Sequence, residues 1–67
     1  MSPIQLQAVV ARVRGEFLEM PGLRLTLPQA ARLWGLDQTA CRLVVDILIQ
    51  AGFLRWTAEG VLAGGRI

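Results

Sequence analysis

The sequence predicts a small, mainly helical domain that ends in a short β-hairpin. Three times in 67 residues a Ser, Thr or Asp precedes a run of apolar residues spaced three and four apart, which is the pattern of a capped amphipathic helix. After the third run the spacing changes to an alternation of apolar and polar residues, which is typical of strands. A chain of this length forms one domain, and we expect it to span residues 1–67.

The first predicted helix spans about residues 3–19. Ser2 and Gln5 have the spacing of a capping box, and Pro3 suits the first helical position. We expect Glu16 on the solvent-facing side. One apolar stripe should pack on the rest of the domain, consisting of Leu6, Val9, Val10, Val13, Phe17 and Met20.

The second predicted helix spans about residues 27–34. Thr26 and Gln29 repeat the capping-box spacing. Gly35 ends the helix, because only glycine adopts the left-handed conformation at a helix C-terminus without a steric penalty. We expect Trp34 at the rim of the core. The residues expected to face inward are Ala30, Ala31 and Leu33.

The third predicted helix spans about residues 38–51, with Asp37 as its cap and Gly52 at its end. A three-residue turn separates it from the second helix, so that the pair forms a helix-turn-helix. The cysteine of this helix lies on an apolar face with no histidine nearby, and we expect it to be a core residue rather than a redox centre. The predicted core stripe is Cys41, Val44, Val45 and Leu48.

A β-hairpin is predicted over about residues 53–63. Its first strand alternates, with Leu54 and Trp56 on one face and Arg55 on the other. Three further segments complete the prediction: a very short strand at residues 23–25, a hairpin loop at residues 58–60 and a loose tail at residues 64–67.

Composition limits the class of protein. The net charge is only +2, and all seven basic residues are arginines. The chain is 54% hydrophobic, with a mean hydropathy of +0.49, which is high for a soluble monomer of this size and leads us to expect a homodimer or another bound protein. No segment approaches the ~20 apolar residues of a membrane helix. No signal-peptide pattern is present, so we expect a cytoplasmic protein.

Patterns of catalysis and metal binding do not occur in the sequence. There is no histidine or tyrosine, the five carboxylates are scattered, and no glycine-rich phosphate loop is present. A single cysteine excludes a multi-cysteine zinc site. We therefore expect no enzyme activity, metal, cofactor or small-molecule effector.

The segments LTLPQAARLWGLD and CRLVVDILIQAGFLRWTAEG resemble the winged helix-turn-helix domains of bacterial transcriptional regulators. The resemblance covers residues 25–63 and implies a DNA-binding protein, either a transcriptional regulator or a nucleoid-associated accessory factor. It implies that the third helix enters the major groove of double-stranded DNA and that the hairpin is the wing. Base contacts are implied for Gln38, Thr39 and Arg42, and phosphate contacts for Arg32 and Arg55.

The third helix leaves a second interpretation open. Leu43 and Ile47 stand one turn apart outside the predicted core stripe, so either the helix phase is wrong and they are core, or they form an exposed apolar strip. In the latter case they would join Trp56 in contacting another chain. The domain would then be a winged-helix protein-interaction module, for dimerisation or as an adaptor, that does not bind DNA. Arg42 and Asp46 have the spacing of a surface ion pair.

Overall fold

The chain forms three helices and a small antiparallel sheet. A computed structural model describes residues 2–65. The first two helices have the predicted bounds, and the third ends one residue earlier than predicted. In chain order the elements are α1 (Pro3–Glu19), β1 (Arg24–Leu25), α2 (Leu27–Trp34), α3 (Gln38–Gln50), β2 (Leu54–Trp56) and β3 (Leu62–Gly64).

Side-chain caps begin all three helices, as predicted. Ser2 Oγ accepts the Gln5 amide at 3.1 Å, and Gln5 Oε1 accepts the Ser2 amide at 3.2 Å. Thr26 and Gln29 form the same reciprocal pair at 3.2 and 2.9 Å. Asp37 Oδ1 accepts the backbone amide three residues further on at 2.7 Å. These bonds satisfy amides that have no partner inside the helix, which fixes where each helix begins.

Two glycines end α2 and α3, again as predicted. Gly35 has φ +67° and Gly52 has φ +85°, a region that side-chain-bearing residues avoid. In both cases the amide of the following residue donates to a carbonyl five residues back, at 2.9 Å. The turn between α2 and α3 is therefore only three residues long, which holds the two helices in contact.

The sheet has three strands in the order β1-β3-β2, so that the predicted short strand joins the predicted hairpin. Arg24 and Leu25 pair antiparallel with Ala63 and Leu62 of β3. The very short strand predicted at residues 23–25 is present as β1, but its pairing with β3 was not predicted, because that pairing depends on residues far apart in the chain. Its partner lies almost forty residues away along the chain.

The second strand of the hairpin extends beyond its predicted end. Gly64 belongs to β3, and the Gly65 amide donates to the Phe53 carbonyl at 2.8 Å, so these two residues are not a loose tail. The remainder of the predicted tail, residues 66–67, lies outside the described residues. The loop at residues 58–60 agrees with the prediction, and Gly60 closes it at φ +82°.

The core lies between the three helices and one face of the sheet. The predicted stripe of α3 is fully buried, and Val13 and Phe17 of α1 join it, whereas Met20 at the predicted end of the α1 stripe is exposed. The sheet contributes Leu54 and Leu62. The α3 residues of the core are Cys41, Val44, Val45 and Leu48.

Two residues of α2 exchange their predicted places. Trp34 is only 4% exposed, whereas Leu33 is 52% exposed. Together with Ala30 and Ala31, which are buried as predicted, Trp34 completes a three- and four-residue spacing that starts at Leu27. Leu33 falls about 100° away from Trp34 around the helix and therefore points out of the core.

Trp34 is buried together with a polar partner from α1. Its indole Nε1 donates to Glu16 Oε1 at 2.9 Å, and its ring meets the Phe17 ring edge-on at a centroid distance of 6.4 Å. Arg12 Nε lies 3.4 Å from the other Glu16 oxygen. Glu16 is thus half-buried and not fully on the solvent side as predicted, because it satisfies a buried N–H group.

Candidate functional site

The first turns of α3 present polar side chains to solvent. Gln38, Thr39 and Arg42 are all exposed and line one shallow groove, so the structure brings together the three residues for which base contacts were predicted. The cap by Asp37 positions them, because it fixes the start of α3. The other residues that line this α3 groove are Leu27, Leu43 and Asp46.

The ion pair predicted on α3 is present and loose. Arg42 Nε lies 4.0 Å from Asp46 Oδ1, and the two side chains are 62% and 53% exposed. A solvent-exposed pair at this separation contributes little free energy. The Arg42 guanidinium is therefore available to an incoming anion.

A second groove lies between β1 and α2 and carries two arginines. Arg24 and Arg32 line it together with Pro28, Gln29 and neighbouring apolar residues. Pro28 directly follows Leu27, which lines the α3 groove. Consecutive residues of the first turn of α2 thus line the two grooves.

The sheet adds a third arginine to this surface. Arg24 of β1 and Arg55 of β2 both pair with Ala63 of the central strand. Residues in one cross-strand row project from the same face of a sheet, so both arginines point away from the core, with about 10 Å between their backbones. Leu62 and Leu54 occupy the opposite, buried face.

Arg24 was not among the predicted site residues. The sequence feature that bears on Arg24 is the alternation of apolar and basic residues at positions 23–25. This alternation predicts a strand but does not indicate with which other strand it pairs. Only the β1–β3 register places Arg24 in a row with Arg55.

The hairpin tip brings a carboxylate close to these arginines. A hydrogen bond with the Thr57 side chain lowers the pKa of Glu59, a bond to its own backbone adds to this, and the charges of Arg24 and Arg55 lower it further. Glu59 is therefore ionised at neutral pH. It offsets part of the positive charge on the outer face of the sheet.

The three residues predicted for a protein interface are exposed but do not line one common groove. Leu43 and Ile47 are 48% and 36% exposed, so they are not core residues. Leu43 lines the α3 groove, whereas Ile47 lines a different groove against α1, beside Val10 and Ala11. Trp56 is exposed on β2, in the cross-strand row of Leu62.

An apolar cleft of about 490 Å³ lies where the C-terminal end of α1 meets the start of the hairpin. Most of its apolar lining comes from Phe17, Leu18, Pro21 and Phe53. Its charged side chain is Arg14, whose Cζ sits 4.6 Å from the centroid of the Phe53 ring. This arginine is engaged in a cation–π contact, which stabilises the packing of α1 on the hairpin.

The described part of the chain contains few side chains that could act as a nucleophile or bind a metal ion. Burial raises the pKa of the Cys41 thiol, which keeps it in the unreactive protonated form, and the residue lies in the core as predicted. Residues 2–65 contain no group of three or more His, Cys, Asp or Glu side chains placed to hold a metal ion. Within the same residues, no helix has both the length and the apolar character needed to cross a membrane.

The chain was compared with protein-family models, with curated proteins and with solved structures, and none of the three comparisons finds a match. A function is therefore inferred from the residues and geometry of this chain.

Proposed function

We propose that this chain is a winged helix-turn-helix domain that binds double-stranded DNA, as a transcriptional regulator or nucleoid-associated accessory factor of the bacterial cytoplasm. The order of elements and the sheet order β1-β3-β2 support this architecture. In it, α2 and α3 form the helix-turn-helix and the β2–β3 hairpin is the wing. The helix that follows the turn is the one that enters the major groove in such domains.

The observation that carries the proposal is the arrangement of arginines around the start of α3. Arg32 and Arg24 lie on the α2 side, and Arg55 continues the row across the sheet. In a separate groove, the first turns of α3 expose hydrogen-bonding side chains. Phosphate contacts at the edges with base contacts in the centre are the usual division of roles in a DNA interface.

The side chains of α3 suit base edges. Gln38 can form paired hydrogen bonds to adenine and Arg42 to guanine, while Thr39 can contact either a polar edge or a thymine methyl group. Arg24, Arg32 and Arg55 would hold phosphates of the same duplex.

Binding should be weak and dependent on salt. Of the six arginines in residues 2–65, four belong to this surface, and they are accompanied by the carboxylates of Asp37, Asp46 and Glu59. Three phosphate contacts would give a plot of log affinity against log salt with a slope of roughly −3.

Fluorescence anisotropy of a labelled random duplex, measured over a series of salt concentrations, tests the proposal. The expected result is binding at low salt that weakens with about the slope given above. A Gln38→Ala and Arg42→Ala double variant should lose preference among duplexes of different sequence while keeping the salt dependence. Absence of binding at the lowest salt concentration rejects the proposed function.

A second candidate function is a protein-interaction module, favoured by the exposure of Leu43 and Ile47 on the same helix. In that case α3 contacts another protein chain and DNA does not bind at any salt concentration. Replacing both residues by serine should then lower the mass of the complex measured by light scattering, without loss of the fold.

A further inference from the structure

α1 has a second apolar face, on the side away from the core. Five residues lie within about 40° of the direction opposite the buried Val13, given 3.6 residues per turn. Two of them, Ile4 and Leu18, are 80% and 61% exposed. A helix that faces water normally carries polar residues here. The five residues, which we call the α1 outer face, are Ile4, Ala8, Ala11, Gly15 and Leu18.

At Gly15, inside this face, neither the backbone conformation nor the surroundings in the described chain require a glycine. Its φ is not positive, and a Cβ at this position would meet no atom of the described chain within 4 Å. Glycine in the interior of a helix destabilises the helix relative to alanine. A glycine here does, however, let a side chain of another molecule approach the helix backbone closely.

We propose that the α1 outer face is a dimerisation surface, covered by α1 of a second copy of this chain that runs antiparallel to the first. One antiparallel alignment sets Ile4 against the partner's Gly15, and by symmetry Gly15 against the partner's Ile4. The same alignment sets Ala8 against the partner's Ala11. Ile4 of each copy then occupies the space over the partner's Gly15, with only alanines between the two contacts, which is how packed helices reach interior density.

A parallel pair does not fit the same residues. It would set Ile4 against the partner's Ile4 and Leu18 against the partner's Leu18. These large side chains would hold the helices apart over the small residues between them and leave space unfilled.

Charge along the edges of the face also favours the antiparallel pair. Arg14 comes to lie beside the partner's Gln7, and Arg12 beside the partner's Gln5, while the two guanidinium groups keep their contacts with Phe53 and Glu16 of their own chain. No two arginines are neighbours in this arrangement. A parallel pair would bring Arg12 beside the partner's Arg14, and like charges repel at this spacing.

The area that a stable dimer requires indicates how far the contact extends. Such a dimer buries roughly 800 Å² on each partner, and the surface of this chain is 4386 Å². The α1 outer face runs for about 21 Å along a helix but is narrow. Shallow grooves flank it, one reaching Leu36 of the α2–α3 turn and the other reaching Ile47 of α3. We include both grooves in the contact.

The α1 outer face and the proposed DNA surface consist of different residues. The α1 outer face belongs to the first helix, whereas Gln38, Thr39 and Arg42 belong to the start of α3. Dimerisation does not depend on DNA binding, and the two are tested by separate measurements.

Analytical ultracentrifugation of the full chain tests the dimer. The wild type should sediment with twice the chain mass of 7.3 kDa at micromolar concentration. Gly15→Leu should raise the dissociation constant at least roughly tenfold, because its side chain occupies the space of the partner's Ile4. Since the position is open within the chain, its circular dichroism should show retained helix.

Two further variants separate the α1 outer face from other exposed apolar residues. Ile4→Ser with Leu18→Ser should also dissociate the dimer, whereas Leu33→Ser, which removes an exposed leucine of α2, should not. A wild type that is monomeric at all concentrations overturns the proposal. So does a dimer that resists both α1 variants, or one that Leu33→Ser dissociates equally.

Disulfide trapping tests the orientation. Chains that carry Ile4→Cys and Gly15→Cys, when mixed and oxidised, should form mostly the mixed disulfide. Predominance of the Ile4→Cys homodimer would indicate a parallel pair and overturn the antiparallel arrangement. If the wild type is monomeric alone but Gly15→Leu abolishes binding to a different protein, the occupant is that protein and not a second copy.

Discussion

Arg24 and Arg55 flank Ala63 in one cross-strand row, on the face of the sheet that points away from the core. The two arginines belong to strands that are both at an edge of the sheet, with β3 between them. Ala63 itself is buried. Two like charges are thus held at a fixed separation of about two strand spacings, close enough to act on one anionic surface.

This pair of arginines should set much of the salt dependence of DNA binding. Replacing Arg24 and Arg55 together by glutamine should weaken binding to random duplex DNA and reduce the salt slope by about two, one for each phosphate that is no longer neutralised. Anisotropy titrations at several salt concentrations measure both quantities. Arg12→Gln, which removes an arginine of α1, is the matched control and should change neither. An unchanged slope in the double variant would remove the sheet from the DNA interface.

Removing the negative charge of Glu59 should have the opposite effect on the affinity for DNA. Glu59→Gln should strengthen DNA binding at low salt, because it removes a negative charge beside Arg24 and Arg55. The pKa of Glu59 lies below its usual value, so the carboxylate stays ionised well into mild acid. Lowering the pH from 7 to 6 should therefore not reproduce the effect of the substitution. Equal affinity of variant and wild type would contradict the placement of DNA against the hairpin.

The bond between Trp34 and Glu16 should contribute to stability. Glu16→Ala leaves the buried indole N–H without an acceptor and should lower the free energy of unfolding by about 1–3 kcal/mol. Glu16→Gln keeps a carbonyl oxygen at the same place and should lower it less. Urea denaturation followed by tryptophan fluorescence measures the difference. Arg12→Ala breaks only the exposed ion pair and should change stability by less than about 1 kcal/mol.

Gly65 is expected to tolerate no side chain. A Cβ there would lie 2.6 Å from the Gly52 carbonyl oxygen and 3.1 Å from the Leu54 nitrogen, both of which are backbone atoms. Gly65→Ala should therefore destabilise the fold by about 1–3 kcal/mol through overpacking. Gly22→Ala is the control, because a Cβ at Gly22 would meet nothing within 4 Å in the described chain. Equal melting temperatures for the two variants would contradict this close approach.

Cys41 should make stability fall at high pH. Burial raises its pKa in the folded chain above the ordinary value of 9.0, so the thiol binds its proton more tightly folded than unfolded. The contribution of the Cys41 thiol to the free energy of unfolding is fully present below pH 9. It is lost as the pH rises further, because the unfolded chain then releases the proton first. Thermal melts between pH 7 and pH 10, compared with those of Cys41→Ala, measure this loss. A wild type that loses no more stability than the variant would contradict it.

Much of the local structure follows from residues that are close together in the sequence. The Thr26 and Gln29 capping box, the Asp37 cap and the glycine at position 35 each act over three or four residues, so they can be recognised without the fold. The buried stripe of α3 follows in the same way from the helical spacing of its apolar residues. For Trp34 the same spacing rule was sufficient in principle, since it continues the series of Leu27, Ala30 and Ala31.

Other features depend on contacts between distant parts of the chain. β1 is two residues long and acquires its role only by pairing with β3, which alone sets Arg24 in a row with Arg55. Glu16 becomes half-buried only because α2 delivers the indole of Trp34 to it. On α1 the helical spacing predicted that Val13 and Phe17 face inward, and only the fold shows that Met20, at the end of the same stripe, is exposed. Local sequence determined where the helices begin and end, because caps and glycines act over one turn. Tertiary structure decided which faces meet, because burial depends on every element that competes for the same core.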